Sequence, residues 1–361
     1  MKLLTVTCVV ALASSAHANL PSSPSNRQRP LHPDENTFSA SPLLALHRDL
    51  VKIESISGNE HAVGHYLHNY LGARNFTVET QVVSYAGAEI PTAAGFVKSQ
   101  HDRRNLVAYH GKKRKTRTLL TSHIDTVPPF WPYEVRPHHD IWGRGSVDAK
   151  GCVATQIIAL QELLDSKEVG DGDVALLFVV GEETGGDGMR KANYLDMEWE
   201  TVIFGEPTEL KLASGHKGNI GFNIKAKGKA AHSGYPWLGV NANSMLIPAL
   251  AALDKLELPS SKKYGNTTLN IGRMEGGVAG NVVAETASAQ IQVRIAAGSA
   301  GHTKKSVLDA IDAVDKDLEV EFLNEGYGPV DIDHDVEGQW NGMQLAPWLN
   351  AYNLQASVPS W

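Results

Sequence analysis

Three apolar runs of strand length in this chain each end in side chains that bind metals. That placement narrows the folds open to the chain more than any other feature. Thr118-Leu-Leu-Thr121 leads into His123 and Asp125, the run ending at Val179-Val180-Gly181 leads into Glu182-Glu183, and Val202-Ile-Phe204-Gly205 leads into Glu206. Short continuous apolar runs suit strands buried on both faces. In an open α/β sheet, ligands gather outside the carboxyl ends of such strands. Between the first two runs lies Gly143-Arg144-Gly145-Ser-Val-Asp148-Ala-Lys150-Gly151-Cys152, which opens a helical pattern.

Each element alone has a plain structural reading. His123 and Asp125, two apart on an extended segment, face the same side, so the carboxylate can fix the imidazole tautomer for metal binding; His-x-Asp is also an ordinary turn. Asp148 can be a helix N-cap, and Gly143-Arg144-Gly145 a tight turn. Glu182-Glu183 can be a solvated strand end, although adjacent carboxylates repel unless a cation neutralises them. Their common position after apolar strands favours the metal site.

Helical spacing of Leu43, Leu44, Leu46, Leu50, Val51 and Ile53 begins after Ser41, and a second amphipathic run covers His61 to Leu71. Strands are expected over 76–83, 105–109, 118–121, 173–180 and 199–204, with a helix over 152–164. This alternation predicts an α/β layer architecture. Near Lys211 the pattern changes to strand 218–227, helix 241–255, strands 267–274 and 287–295, helix 303–318 and strand 319–323. The order β-α-β-β-α-β predicts a small split-βαβ domain inserted into the larger one.

The amino terminus, Met-Lys-Leu-Leu-Thr-Val-Thr-Cys-Val-Val-Ala-Leu-Ala-Ser-Ser-Ala-His-Ala18, has a cationic start, a short apolar stretch and an Ala-x-Ala ending. It reads as a signal peptide over 1–18, followed by a disordered leader over 19–40. The expectation is a secreted chain with no membrane span. Removal of Cys8 leaves Cys152 alone, without an internal disulfide. Asn75-Phe-Thr and Asn266-Thr-Thr are glycosylation sequons. A net charge of −7 offers no basic footprint for nucleic acid.

The ordered set His123-x-Asp125, Gly-Arg-Gly-x-x-Asp148-x-Lys-Gly, Gly-Glu182-Glu183 and Gly-Glu206-Pro-Thr resembles the M20 family of zinc aminoacylases and carboxypeptidases. The resemblance spans roughly 43–336. It implies a doubly wound, mixed-sheet catalytic domain over 41–212 and an inserted ferredoxin-like lid and dimerisation domain over 213–325. The remainder, 326–361, would be an incomplete return to the catalytic domain. It further implies two zinc ions bridged by Asp148. His123 and Glu206 would complete one, Glu183 would bind the other, Glu182 would be the general base, and Asp125 would orient His123. A cis peptide is implied at Asp148–Ala149.

In the inserted domain, Ala230-Ala231-His232-Ser233-Gly234 resembles the lid motif whose histidine reaches the substrate carbonyl of a neighbouring subunit. Asn281 and Arg294 match the family's substrate-carboxylate clamp. The expected substrate is a peptide or N-acyl amino acid. The leading activity is hydrolysis of an amide bond beside a free carboxylate, as in a carboxypeptidase, with an acetylornithine- or succinyl-diaminopimelate-type deacylase as the alternative.

After Glu337 the sequence departs from the family. Its 24 remaining residues, 338–361, contain no histidine, whereas family members supply one for the second zinc. The expectation is a truncated or aberrant C-terminus. With Asp148 and Glu183 alone at the second zinc, this predicts weakened binding or a remnant that binds metal or peptide without turnover.

Overall fold

The computed structural model describes residues 41–331, apart from 93–94, 138–139, 209–212 and 214. The expected signal peptide, the leader and the divergent tail lie outside the described residues. The chain divides into two compact units, one running up to residue 213 and the other over 214–332.

The first unit opens with α1 (Pro42–Val51), whose start is set by Pro42 and by Ser41 Oγ accepting from Leu44 N at 3.4 Å. Helix α2 (His61–Gly72) follows. The central sheet is built from β1 (Phe76–Ser84), β2 (Arg103–His110), β3 (Thr118–His123), β4 (Val174–Val179) and β5 (Thr201–Phe204). Helix α3 (Lys150–Asp165) links β3 to β4, and the short α4 (Asp187–Ala192) follows β4. Spatial order is β1-β2-β4-β3-β5. Strands β4, β3 and β5 are mutually parallel, while β2 runs antiparallel to β4 and β1 antiparallel to β2.

Alternation along these strands feeds two cores. Leu106, Ala108, Leu120, Leu176 and Phe178 point to the face covered by α1, α2 and α3, where they meet Leu46, Leu50, Leu67, Leu71 and Ile157. Val107, Leu119, Ala175, Leu177 and Val179 point to the opposite face, against Ala192, Leu195 and Val202. The unit is therefore a mixed α/β sheet covered on both sides, as the sequence pattern predicts. Phe178 is fully buried at the centre of the larger core. Phe178→Ala should cost about 3–5 kcal/mol of unfolding free energy, read as a lowered urea midpoint.

The second unit comprises β6 (Gly218–Lys227), α5 (Ala242–Asp254), β7 (Thr268–Gly276), β8 (Thr286–Ile295), α6 (Ala300–Asp312) and β9 (Glu319–Phe322). Its antiparallel sheet has the order β7-β8-β6-β9, the split-βαβ arrangement. Strand β8 alternates fully, burying Ala287, Ala289, Ile291, Val293 and Ile295 against Leu246, Leu250, Val307 and Ile311 of the two helices. Helix α6 starts three residues before its expected position because Ser299 Oγ caps His302 N at 3.2 Å. It also ends earlier: Asp315 Oδ1 accepts from Asp317 N at 2.9 Å, turning the chain before β9. Among the described residues, no helix is long and apolar enough to cross a membrane.

Candidate metal centre

The parallel strands place their carboxyl ends on one rim of the sheet, and the donors gather there. His123 is the last residue of β3 and is buried. Its Nε2 lies 2.9 Å from Asp148 Oδ1 and 3.8 Å from Glu206 Oε2. One ligand atom from each of His123, Asp148 and Glu183 lies within 4.8 Å of the others. Asp148 stands in the loop before α3 and is not its cap, because the capping position is Ala149 and no side chain bonds there. The Asp148–Ala149 peptide bond is cis.

Glu206 is fixed through its neighbour. Gly205 N donates to Thr121 O at 2.7 Å and Gly205 O accepts from Ser122 Oγ at 2.8 Å, which ties the end of β5 to β3. A side chain at Gly205 would run into Gln156 and Cys152.

Asp125 does more than the sequence suggests, and does one thing differently. His123 Nδ1 is closer to the backbone oxygen of Asp125, at 2.9 Å, than to its carboxylate, at 3.5 Å. The turn after β3 folds that carbonyl back under the ring, so the main chain shares in orienting it. The Asp125 carboxylate accepts from Ser57 Oγ at 2.7 Å, Glu182 N at 3.1 Å and Glu183 N at 3.2 Å. It therefore also holds the backbone of the two glutamates. Ser57 carries no motif that could have marked it.

The electrostatics show a surplus of negative charge. Burial raises the carboxyls of Glu183 and Glu206, and the nearby Asp148 adds to it, so that both reach about 7. Burial disfavours a charged imidazole at His123, yet Asp125, Asp148 and Glu206 push it up to about 12. Burial would also raise Asp125, but His123, Ser57 and the Glu182 N–H hold it below its usual range. Carboxylates that cannot all be ionised without a compensating cation, gathered beside an imidazole, form a donor set suited to a divalent metal. The residues present fit a metal.

The second unit places its candidates in two groups. His232 pairs with Val282 across an isolated bridge, and Ser233 N donates to Asn281 O at 3.0 Å, so His232 and Asn281 lie together and both are exposed. Gly234 N donates to His232 Nδ1 at 3.0 Å, leaving Nε2 as the outward nitrogen. Arg294, also exposed, sits near the far end of β8, level with Asn219 and Thr268. It stands eight positions from Thr286 at the near end, roughly 27 Å of extended strand, so one protomer does not join it to the His232–Asn281 pair. Asn75, in the turn after α2, and Asn266 are both exposed.

Residues 214–320 match the peptidase dimerisation domain of the M20 family. A probable carboxypeptidase of Aspergillus flavus is 47% identical over 367 aligned residues, covering 92% of this chain and 83% of that protein. Among solved structures, the di-peptidase Dug1p of Saccharomyces cerevisiae superposes with a TM-score of 0.63 at 14% identity, over 82% of this chain and 79% of its own. An M20 family metallo-carboxypeptidase from Sulfolobus solfataricus gives 0.58 at 17% identity, over 80% and 79%. With its sheet rim of imidazole and carboxylates and its split-βαβ insertion, the chain belongs to the M20 family of metallopeptidases.

Proposed function

We propose that the chain is a secreted zinc hydrolase that cleaves an amide bond beside a free carboxylate, as a carboxypeptidase does. The observation that carries this reading is the convergence of His123, Asp148, Glu183 and Glu206 beside Glu182 on the rim of the sheet. Its relatives, named probable carboxypeptidases, support the substrate class. His123, Asp148 and Glu206 would hold one zinc, and Asp148 and Glu183 a second. Bound there, zinc polarises a carbonyl and acidifies a water.

Glu182 takes the proton of the attacking water and delivers it to the departing amine. Asp125 keeps the imidazole and the two glutamates in place. His232, with its outward Nε2 and Asn281 beside it, offers polar contacts to a substrate carbonyl or carboxylate. Arg294, a guanidinium fork suited to a carboxylate, acts from a separate position. The dimerisation domain supports a homodimer, and the exposed Asn75 and Asn266 would carry glycans after secretion.

The test is release of phenylalanine from benzyloxycarbonyl-glycyl-phenylalanine by the zinc-loaded chain. N-acetylornithine and N-succinyl-diaminopimelate carry the same carboxylate beside the scissile amide but differ in acyl group and side chain, and a carboxypeptidase should turn them over at least about 10-fold more slowly. Faster hydrolysis of those two would favour the deacylase, and no turnover of any would leave a non-catalytic metal-binding protein.

A further inference from the structure

The loop that carries Glu182 and Glu183 is closed at its neck by two buried residues of β2. Asn105, fully buried, accepts from Val180 N at 3.3 Å and donates to Gly188 O at 2.8 Å, so a single amide grips the chain on both sides of the loop. Gly188 N donates to Val180 O at 3.1 Å across the same neck. Two residues earlier on the same face of the strand, Arg103 is also buried. Its guanidinium binds Glu60 through Nε and Nη2, at 2.6 Å for the closest pair, and reaches Asp187 Oδ2 through Nη1 at 2.7 Å. Burial opposes the guanidinium charge, but the carboxylates of Glu60 and Asp187 hold it above its ordinary range.

The loop passes directly over this ion pair. Gly181 takes a positive φ of 72°, and a Cβ there would strike Asp187 and Arg103. Inside the loop, Gly186 N donates to Gly181 O at 2.7 Å and Gly185 N to Glu182 O at 3.1 Å. The two glutamates thus sit on a short closed turn held at its tip by Asp125 and at its neck by Asn105 and Arg103.

We propose that Arg103 and Asn105 are positioning residues for Glu182: they set where its carboxylate stands through the 180–188 loop, without touching substrate. The proposal rests on the reading of Glu182 as general base. A misplacement of about 1 Å in a reacting group can cost about 10²-fold in rate, so rigid anchorage of this loop bears directly on turnover.

The test uses the full zinc-loaded chain with Arg103→Lys and Asn105→Asp, beside Glu182→Gln. Arg103→Lys keeps the charge and loses the two-carboxylate fork. Asn105→Asp keeps the acceptor for Val180 and loses the donor to Gly188. With benzyloxycarbonyl-glycyl-phenylalanine, kcat per metal-loaded chain should fall about 10- to 100-fold in each, with KM changed by less than about twofold. Hydrogen exchange of amides 181–187 should speed up about tenfold or more, while the amides of β3 keep wild-type rates.

Unchanged local exchange, exchange that rises equally across the whole unit, or kcat within about twofold of wild type would each overturn the proposal and leave the two residues a purely structural role. If Arg103→Lys fails to fold, Asn105→Asp decides alone. If Glu182→Gln turns over as fast as wild type, the function reading has failed instead, and the exchange measurement still decides whether the neck is anchored as described.

Discussion

Glu182→Gln should lower kcat by about 10²- to 10⁴-fold, the range expected when a general base is removed, while leaving metal content at the wild-type level. The neighbouring Glu183, not Glu182, is grouped with His123 and Asp148, and the Glu182 backbone remains held by Asp125. The amide of glutamine keeps the size and polarity of the side chain but cannot accept the proton of water. Elemental analysis and steady-state kinetics on the same preparation separate this outcome from loss of metal. Lost metal with lost activity would instead make Glu182 a ligand. Retained activity would remove it from the chemistry.

Asp125→Asn should weaken metal binding about 10- to 100-fold, as expected when the group behind a ligating histidine is altered. The carboxylate is fully buried and accepts three hydrogen bonds, from Ser57 and from the main-chain N–H groups of Glu182 and Glu183. An amide offers one oxygen for these donors and turns an NH2 toward the rest, so at least one part-buried N–H loses its partner, at about 1 kcal/mol. Competition against a chelator of known affinity measures the first effect and thermal unfolding of the metal-free chain the second. Wild-type metal affinity would mean that the Asp125 main-chain oxygen alone orients His123.

Much of this site was legible in the sequence because buried strands lead to His123, Glu183 and Glu206, while Asp148 stands in the loop before α3. The apolar runs locate β3, β4 and β5, and the donor that follows each run fixes the rim. The supports were not legible. Arg103 meets Glu60 and Asp187 across 43 and 84 positions of chain, and Asn105 meets Gly188 across 83. No local pattern encodes a contact between a strand start and a loop that far away. Ser57 was hidden for the same reason, and Ser299 because a single serine before a helix is too common to fix its start. Asn281 and Arg294 read as one clamp on paper, yet Asn281 lies before β8 begins and Arg294 near its far end.

The direction of β2 has a consequence for how the protein can change. Because β2 runs against β4, with Leu106 opposite Phe178, the beginning of β2 stands level with the end of β4. One rim thus collects the ends of β1, β3, β4 and β5 and the start of β2, reactive groups and their braces together. The other rim includes the turn where Arg117 N and Thr118 N donate to Gly172 O and Asp173 O, with an exposed Arg117–Glu200 pair beside it. The two edges of the sheet therefore face different evolutionary liberties. Insertions, tags or new chain ends can accumulate along the quiet edge, while on the working edge a drifting sequence must keep faith with partners scattered across more than a hundred residues.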